Sequence, residues 1–167
     1  MKPALLVIDI QNAYLSSIPE RDKQIALEVI NWLIELFRQR GAPILRVYHT
    51  DPQRGPKPGS EAFEFPASVA IRPDDVKIVK NYPSAFKKTK LAKVLRAQGC
   101  DTLFLCGLSA VGCVLATYFG AEDRDFNTFM IKGAIMSHNS TYTHFVEDIL
   151  DAVGPAAVEL MVEASSH

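Results

Sequence analysis

No apolar run in this chain approaches the length needed to cross a bilayer; those that occur are strand-sized, so no membrane partner is expected. Neither charge sign is in excess. Eighteen Lys and Arg stand against 19 Asp and Glu, a net charge of −1, so no basic surface for a nucleic acid is expected either. Cysteine is scarce: Cys100, Cys106 and Cys113 are an odd number without metal-type spacing, and they suit a reducing compartment, the cytoplasm by default. No G-x-G-x-x-G or phosphate loop follows any strand-like run, which removes support for a nucleotide-binding module. The opening MKPALLVIDI makes a poor leader. It meets Asp9 early and has no small-residue cleavage site, so it reads as a first strand. Internal repeats and dividing linkers are also absent, and residues 1–167 are expected to form one domain.

What is present is a rhythm of apolar, β-branched runs: 4–10, 43–49, 76–80, 102–107, 128–134 and 157–162. Most are continuous rather than alternating, as in strands buried on both faces. Helical patterns lie between several of them. Ile25, Val29, Ile30, Leu33, Leu36 and Phe37 share one face, with Gly41 closing the helix. Leu91, Val94 and Leu95 mark a second helix, Val114, Leu115, Tyr118 and Phe119 a third, and Phe145, Ile149, Leu150 and Val153 a fourth. This alternation predicts an α/β fold: a three-layer α/β/α sandwich around a six-stranded, mainly parallel sheet. The stretch from Asp51 to Pro73, rich in Pro and Gly, reads as a long functional loop forming part of the pocket wall.

In open parallel sheets, ligands bind outside the carboxyl ends of the strands. Asp9 ends the first run, Lys80 ends the third, and Cys113 lies just beyond the fourth, at the start of a helix. Taken singly, each has an ordinary explanation: a strand-end salt bridge, a solvated charge, a small buried hydrophobe. The segment around the cysteine changes the balance. Gly107 lets the chain turn, and Ser109, Ala110 and Gly112 let the backbone approach a ligand. A thiol in the first turn of a helix meets free N–H groups and the positive end of the dipole, which favour a thiolate.

Three blocks in register resemble the isochorismatase-like cysteine hydrolase superfamily, which includes nicotinamidases and N-carbamoylsarcosine amidases. They are ALLVIDIQNAYL, KNYPSAFKKTKL and GLSAVGCVLATYFGAEDRDF. The resemblance implies Asp9 as general base and acid, Lys80 as the cation holding the pair in its active charge state, and Cys113 as nucleophile. It places an oxyanion hole at the backbone N–H groups of Ser109 and Cys113, and a non-proline cis peptide at Leu108–Ser109. The activity implied is hydrolysis of a small amide or carbamoyl-type C–N bond through a thioester, without a cofactor, by a homodimer or homotetramer. Gln11, Tyr14, Phe86 and Tyr118 are expected to contact the small-molecule substrate. Cys100 and Cys106 are expected to be structural.

The chain departs from the family at several points. Ala13 and Tyr14 stand where many members have Asp-Phe, Ala110 where many have Thr, and Asp125 near a usual glycine. The nicotinamidase metal ligands, an Asp-x-His pair with further histidines, are replaced by His49 and Asp51 in reversed order, with no later His before Lys80. No catalytic metal is therefore expected. His49 reads as a strand-end polar residue; His138 and His144 flank a loop whose helix cap is expected at Ser140 or Thr141. Two alternatives stay open: vinyl-ether hydrolysis, which does not need the cysteine, and a non-catalytic binding protein on the same fold.

Overall fold

The computed structural model describes residues 1–165. In chain order the elements are β1 (Pro3–Ile8), α1 (Asn12–Leu15), α2 (Glu20–Gln39), β2 (Ile44–His49), β3 (Val76–Lys80), α3 (Leu91–Ala97), β4 (Thr102–Leu108), a π-type turn at Ala110–Val114, α4 (Leu115–Glu122), β5 (Asn127–Met136), α5 (Ser140–Ile149) and α6 (Pro155–Ala164). The five strands run parallel in the order β3-β2-β1-β4-β5. β1 is buried at all six positions because both faces are covered. Leu5 and Val7 face a layer holding α2 and α6, whereas Ala4, Leu6 and Ile8 face one holding α3, α4 and α5. This is the expected three-layer α/β/α sandwich.

The expected sixth strand is absent among the described residues. Residues 157–162 lie inside α6, which Gly154 caps and Pro155 opens with its preset φ. Val158 and Val162, four apart, are buried against α2 and β5, while Leu160 between them is 69% exposed. The run therefore follows a helical period, not a strand's. Among the described residues, a single bridge, Ile131 to Val153, is all that pairs with the outer edge of β5.

Two helical faces also differ from expectation. On α5 the buried side chains are Thr143, Val146 and Glu147, whereas Phe145 is 61% and Ile149 53% exposed. Glu147 is held inside by accepting the Gly133 N–H at 2.8 Å. On α2, Ile25 points outward while Ile30, Leu33 and Phe37 enter the core. The cap of α5 is Asn139, one residue earlier than expected, its side chain accepting the Thr141 N–H at 2.9 Å.

The Asp51–Pro73 stretch packs as a brace. Phe63, Phe65 and Val69 are buried, and Tyr48 stacks on both phenylalanines at 5.0 and 4.3 Å. Carbonyls of Glu64 and Ala62 accept the first N–H groups of α1, from Asn12 and Ala13, at 3.0 Å each. A helix of four residues gains its stability from such outside partners.

Gly107 shows how tightly β1 and β4 meet. It has φ +114, and a Cβ there would lie 2.0 Å from the Ile8 carbonyl oxygen. Gly107→Ala is expected to destabilise the fold by roughly 3–5 kcal/mol, through forbidden φ and a clash with backbone that has no rotamer to escape into. A urea midpoint matching the unsubstituted protein would contradict this.

Candidate active site

The strand order reverses between β1 and β4, so a crevice opens at their carboxyl ends. Asp9 follows β1 with φ +53, and its N–H donates to the Val47 carbonyl at 2.9 Å. That left-handed turn ends the strand and turns the carboxylate into the crevice. Lys80 closes β3, and the Thr50 N–H donating to its carbonyl at 2.8 Å fixes its backbone. Cys113 sits in the π-type turn after β4, where Gly112 adopts non-helical φ −126 and ψ −108. The peptide between Leu108 and Ser109 is cis.

These elements bring Asp9, Lys80 and Cys113 together. Lys80 Nζ donates to Asp9 Oδ2 at 2.7 Å, and both side chains are almost wholly buried. The other carboxylate oxygen, Oδ1, has no hydrogen-bond partner among the described residues. Cys113 Sγ, an Asp9 carboxylate oxygen and a His49 ring nitrogen all lie within 4.8 Å of one another. A cavity of about 230 Å³ opens above them, lined by Asp9, Tyr14, His49, Leu108, Ser109 and Cys113.

The electrostatics differ from the sequence expectation in one respect. Burial and the neighbouring Asp9 charge push the Cys113 thiol up to about 12, and Lys80 offsets only part of this. The helix-start argument for a resting thiolate is thus outweighed. Burial also raises Asp9 above the usual carboxylate range, with Lys80 pulling the other way. The Cys113 thiol and the Asp9 carboxyl also interact directly, a contact that raises the thiol and lowers the acid, so the proton of the pair is held on sulfur.

His49 was undervalued in the sequence. Its Nδ1 lies 3.1 Å from Lys80 Nζ, so the ammonium has a second acceptor. Burial and the Lys80 charge lower the imidazole's pKa, which keeps it neutral for that role. A histidine ending a strand parallel to one that ends in lysine, at His49 and Lys80, was the available signal. Gln11, expected as a substrate contact, is absent from the cavity lining. It is fully buried; its amide donates to the His49 carbonyl at 2.9 Å and accepts the His49 N–H at 2.7 Å, continuing the β1–β2 pairing through a side chain.

Of the other expected pocket residues, Tyr14 lines the cavity, its ring edge-on to His49 at 6.2 Å. Phe86 instead stacks on Phe126 in the core at 5.8 Å, and Tyr118 packs against Phe119. The second and third sequence blocks meet there: Thr117 Oγ1 accepts the Ala85 N–H at 3.0 Å, and a Cβ on Gly120 would lie 2.5 Å from Ser84 Oγ. These contacts join the segment after Lys80 to the helix after Cys113. His138 packs on Tyr142 and His144 lines a separate cavity. Cys100 and Cys106 are buried and free.

Residues 3–155 match the isochorismatase domain model. The chain belongs to the isochorismatase family. It is 31% identical over 157 residues to the isochorismatase family protein YddQ of Bacillus subtilis, covering 89% of this chain and 83% of that one. It is 29% identical over 161 residues to maleamate amidohydrolase of Pseudomonas putida, covering 83% and 74%. The crystal structure of N-carbamoylsarcosine amidase from Thermoplasma acidophilum superposes with a TM-score of 0.80 at 26% identity, covering 92% and 95%. This isochorismatase-family hydrolase thus shares fold and ancestry with enzymes that cleave C–N bonds.

A nicotinamidase-type metal does not fit the residues present. The candidate ligands are Asp9, His49 and Cys113, yet the Lys80 ammonium already contacts Asp9 and His49 at 2.7 and 3.1 Å. A divalent cation would have to displace that charge and would consume the thiol.

Proposed function

We propose that this chain hydrolyses a small amide or carbamoyl-type C–N bond through a thioester on Cys113, with no cofactor. The observation that carries the reading is the buried 2.7 Å Lys80–Asp9 pair, whose free Oδ1 shares the crevice with the thiol. Asp9 takes the thiol proton as sulfur attacks the carbonyl carbon. The backbone N–H groups of Ser109 and Cys113 hold the resulting oxyanion, a contribution of roughly 3–4 kcal/mol per donor in related chemistry. The intermediate collapses as protonated Asp9 passes its proton to the departing nitrogen and the C–N bond breaks. Water, deprotonated by Asp9, then attacks the thioester; the C–S bond breaks and the thiolate recovers its proton. Lys80 keeps Asp9 ionised between these steps.

Screening small amides, ureides and carbamoyl compounds for ammonia release tests this reading. Stoichiometric ammonia and acid from at least one class are expected. Cleavage of a vinyl ether with no amide turnover would favour the alternative chemistry.

The chain is further proposed to act as one domain, as a homodimer or homotetramer, and in the cytoplasm. Exposed Phe119, Tyr142, Phe145 and Ile149 on α4 and α5 support self-association. Sedimentation equilibrium at micromolar concentration should give a mass above 18.5 kDa; a pure monomer would contradict it. The three free thiols support the reducing compartment, which cell fractionation checks.

A further inference from the structure

We infer that the cavity above Cys113 accepts uncharged amides and discriminates against substrates bearing a carboxylate within a few atoms of the scissile group. The inference deepens the amide-hydrolase reading, but its charge argument can be measured without turnover.

At about 230 Å³, the cavity lies below the range usual for drug-sized ligands, a volume suited to a small acyl group. A carboxylate that close to the reacting carbon needs a cation or several donors to replace its water. Among the six lining residues none is Arg or Lys. Lys80, the cation of the site, is wholly buried beneath it; its ammonium donates to Asp9 Oδ2 at 2.7 Å and to His49 Nδ1 at 3.1 Å and also interacts with the Cys113 thiol, so no donor is left over for a substrate carboxylate. The Lys80 charge is therefore turned onto Asp9 rather than into the cavity, and Asp9 Oδ1, an acceptor without a donor of its own, gives a bound anion nothing to pair with. His49 is neutral for the reasons given above, and burial with the Asp9 charge holds the Tyr14 phenol protonated, at about 12.

Outside the lining, the exposed carboxylate of Asp51 acts on both Tyr14 and His49. Arg54 offsets it in part, and the Gln53 and Arg54 N–H groups donate to it at 2.8 and 3.2 Å. What remains of the wall is Leu108, the Tyr14 ring and Ser109, whose backbone N–H, with that of Cys113, is reserved for the oxyanion in the proposed reaction. A neutral amide satisfies such a site with its carbonyl and N–H groups alone. The cavity thus differs in kind from one suited to maleamate, the carboxylate-bearing substrate for which one relative is named.

Iodoacetamide and iodoacetate test this directly, because they differ in charge and hardly in shape. Each alkylates the sulfur as its C–I bond breaks, iodide leaves and the thiol proton is lost. The amide-to-acid rate ratio at Cys113, read by peptide mass spectrometry, is compared with the ratio at the same thiol in urea-unfolded chain. The folded protein is expected to favour the amide reagent by on the order of 10- to 100-fold beyond the unfolded ratio. Equal ratios, or preference for the acid, would overturn the inference. Tyr14→Lys, which places a cation in the lining, should return the ratio toward the unfolded value; an unchanged ratio in the folded variant would also overturn it. Turnover separates the two readings. Succinamide is expected to exceed succinamate in kcat/KM by a similar factor. No ammonia from either, nor from any of the amides, ureides and carbamoyl compounds screened above, with the alkylation preference intact, would overturn the amide-hydrolase reading alone.

Discussion

Cys113→Ala is expected to lower kcat/KM for any amide substrate by roughly 10⁴-fold or more, with the fold retained. The thiol lies at the floor of the cavity on the turn after β4, only partly buried, so losing one sulfur leaves the packing of α4 intact. Cys113→Ser is expected to lose nearly as much. A hydroxyl is a poorer nucleophile, and Asp9 would have to remove a far less acidic proton. Circular dichroism and thermal melting of both variants should match the parent. Retention of more than about a tenth of the activity in Cys113→Ala would remove the covalent mechanism and favour an acid-only reaction centred on Asp9.

Lys80→Met is expected to damage both stability and activity, for one reason. The pair is buried, so removing the ammonium leaves a carboxylate without its countercharge, a loss of roughly 3–5 kcal/mol where such pairs have been broken. The protein can avoid part of that cost by protonating Asp9, whose pKa burial already raises and which only Lys80 and smaller contributions hold down. The sign follows: without the lysine, the Asp9 pKa rises further. Catalysis needs the ionised carboxylate, so activity is lost as pH falls through that pKa. In the parent, kcat/KM should fall on the acid side at a pH above the usual carboxylate value. It should show no separate rise near pH 8–9 from the thiol, which sits at about 12. In Lys80→Met, the acid limb should move to higher pH, with a loss of on the order of 10²- to 10⁴-fold at neutral pH. Asp9→Asn combined with Lys80→Met should be more stable than Lys80→Met alone, because the unpaired charge is gone. An acid limb unmoved by Lys80→Met would contradict the assigned role.

The parallel sheet and the meeting of Asp9, Lys80 and Cys113 were legible because continuous apolar runs mark buried strands and their carboxyl ends share one rim. Residues 157–162 were misread because a short apolar run fits strand and helix alike. Pro155 at the helix start and the i,i+4 spacing of Val158 and Val162 were the deciding signals. The buried face of α5 was hidden because a glutamate lies inside it, stabilised by a backbone N–H from β5 that no local pattern announces. Gln11 looked like a ligand contact because its use as a surrogate strand partner for His49 depends on β1–β2 register. The state of the Cys113 thiol was likewise out of reach. The helix-start effect can be read from position, but the opposing burial and Asp9 field exist only after folding.

The central claim is a covalent acyl group on Cys113, and partitioning with hydroxylamine measures it most directly. Two amides that share an acyl group but differ in the departing nitrogen would be hydrolysed in the presence of hydroxylamine, and the hydroxamate-to-acid ratio recorded for each. A shared thioester requires the same ratio from both, rising with hydroxylamine concentration. Ratios that depend on the leaving group, or turnover that yields no hydroxamate, would mean that no common acyl-enzyme forms.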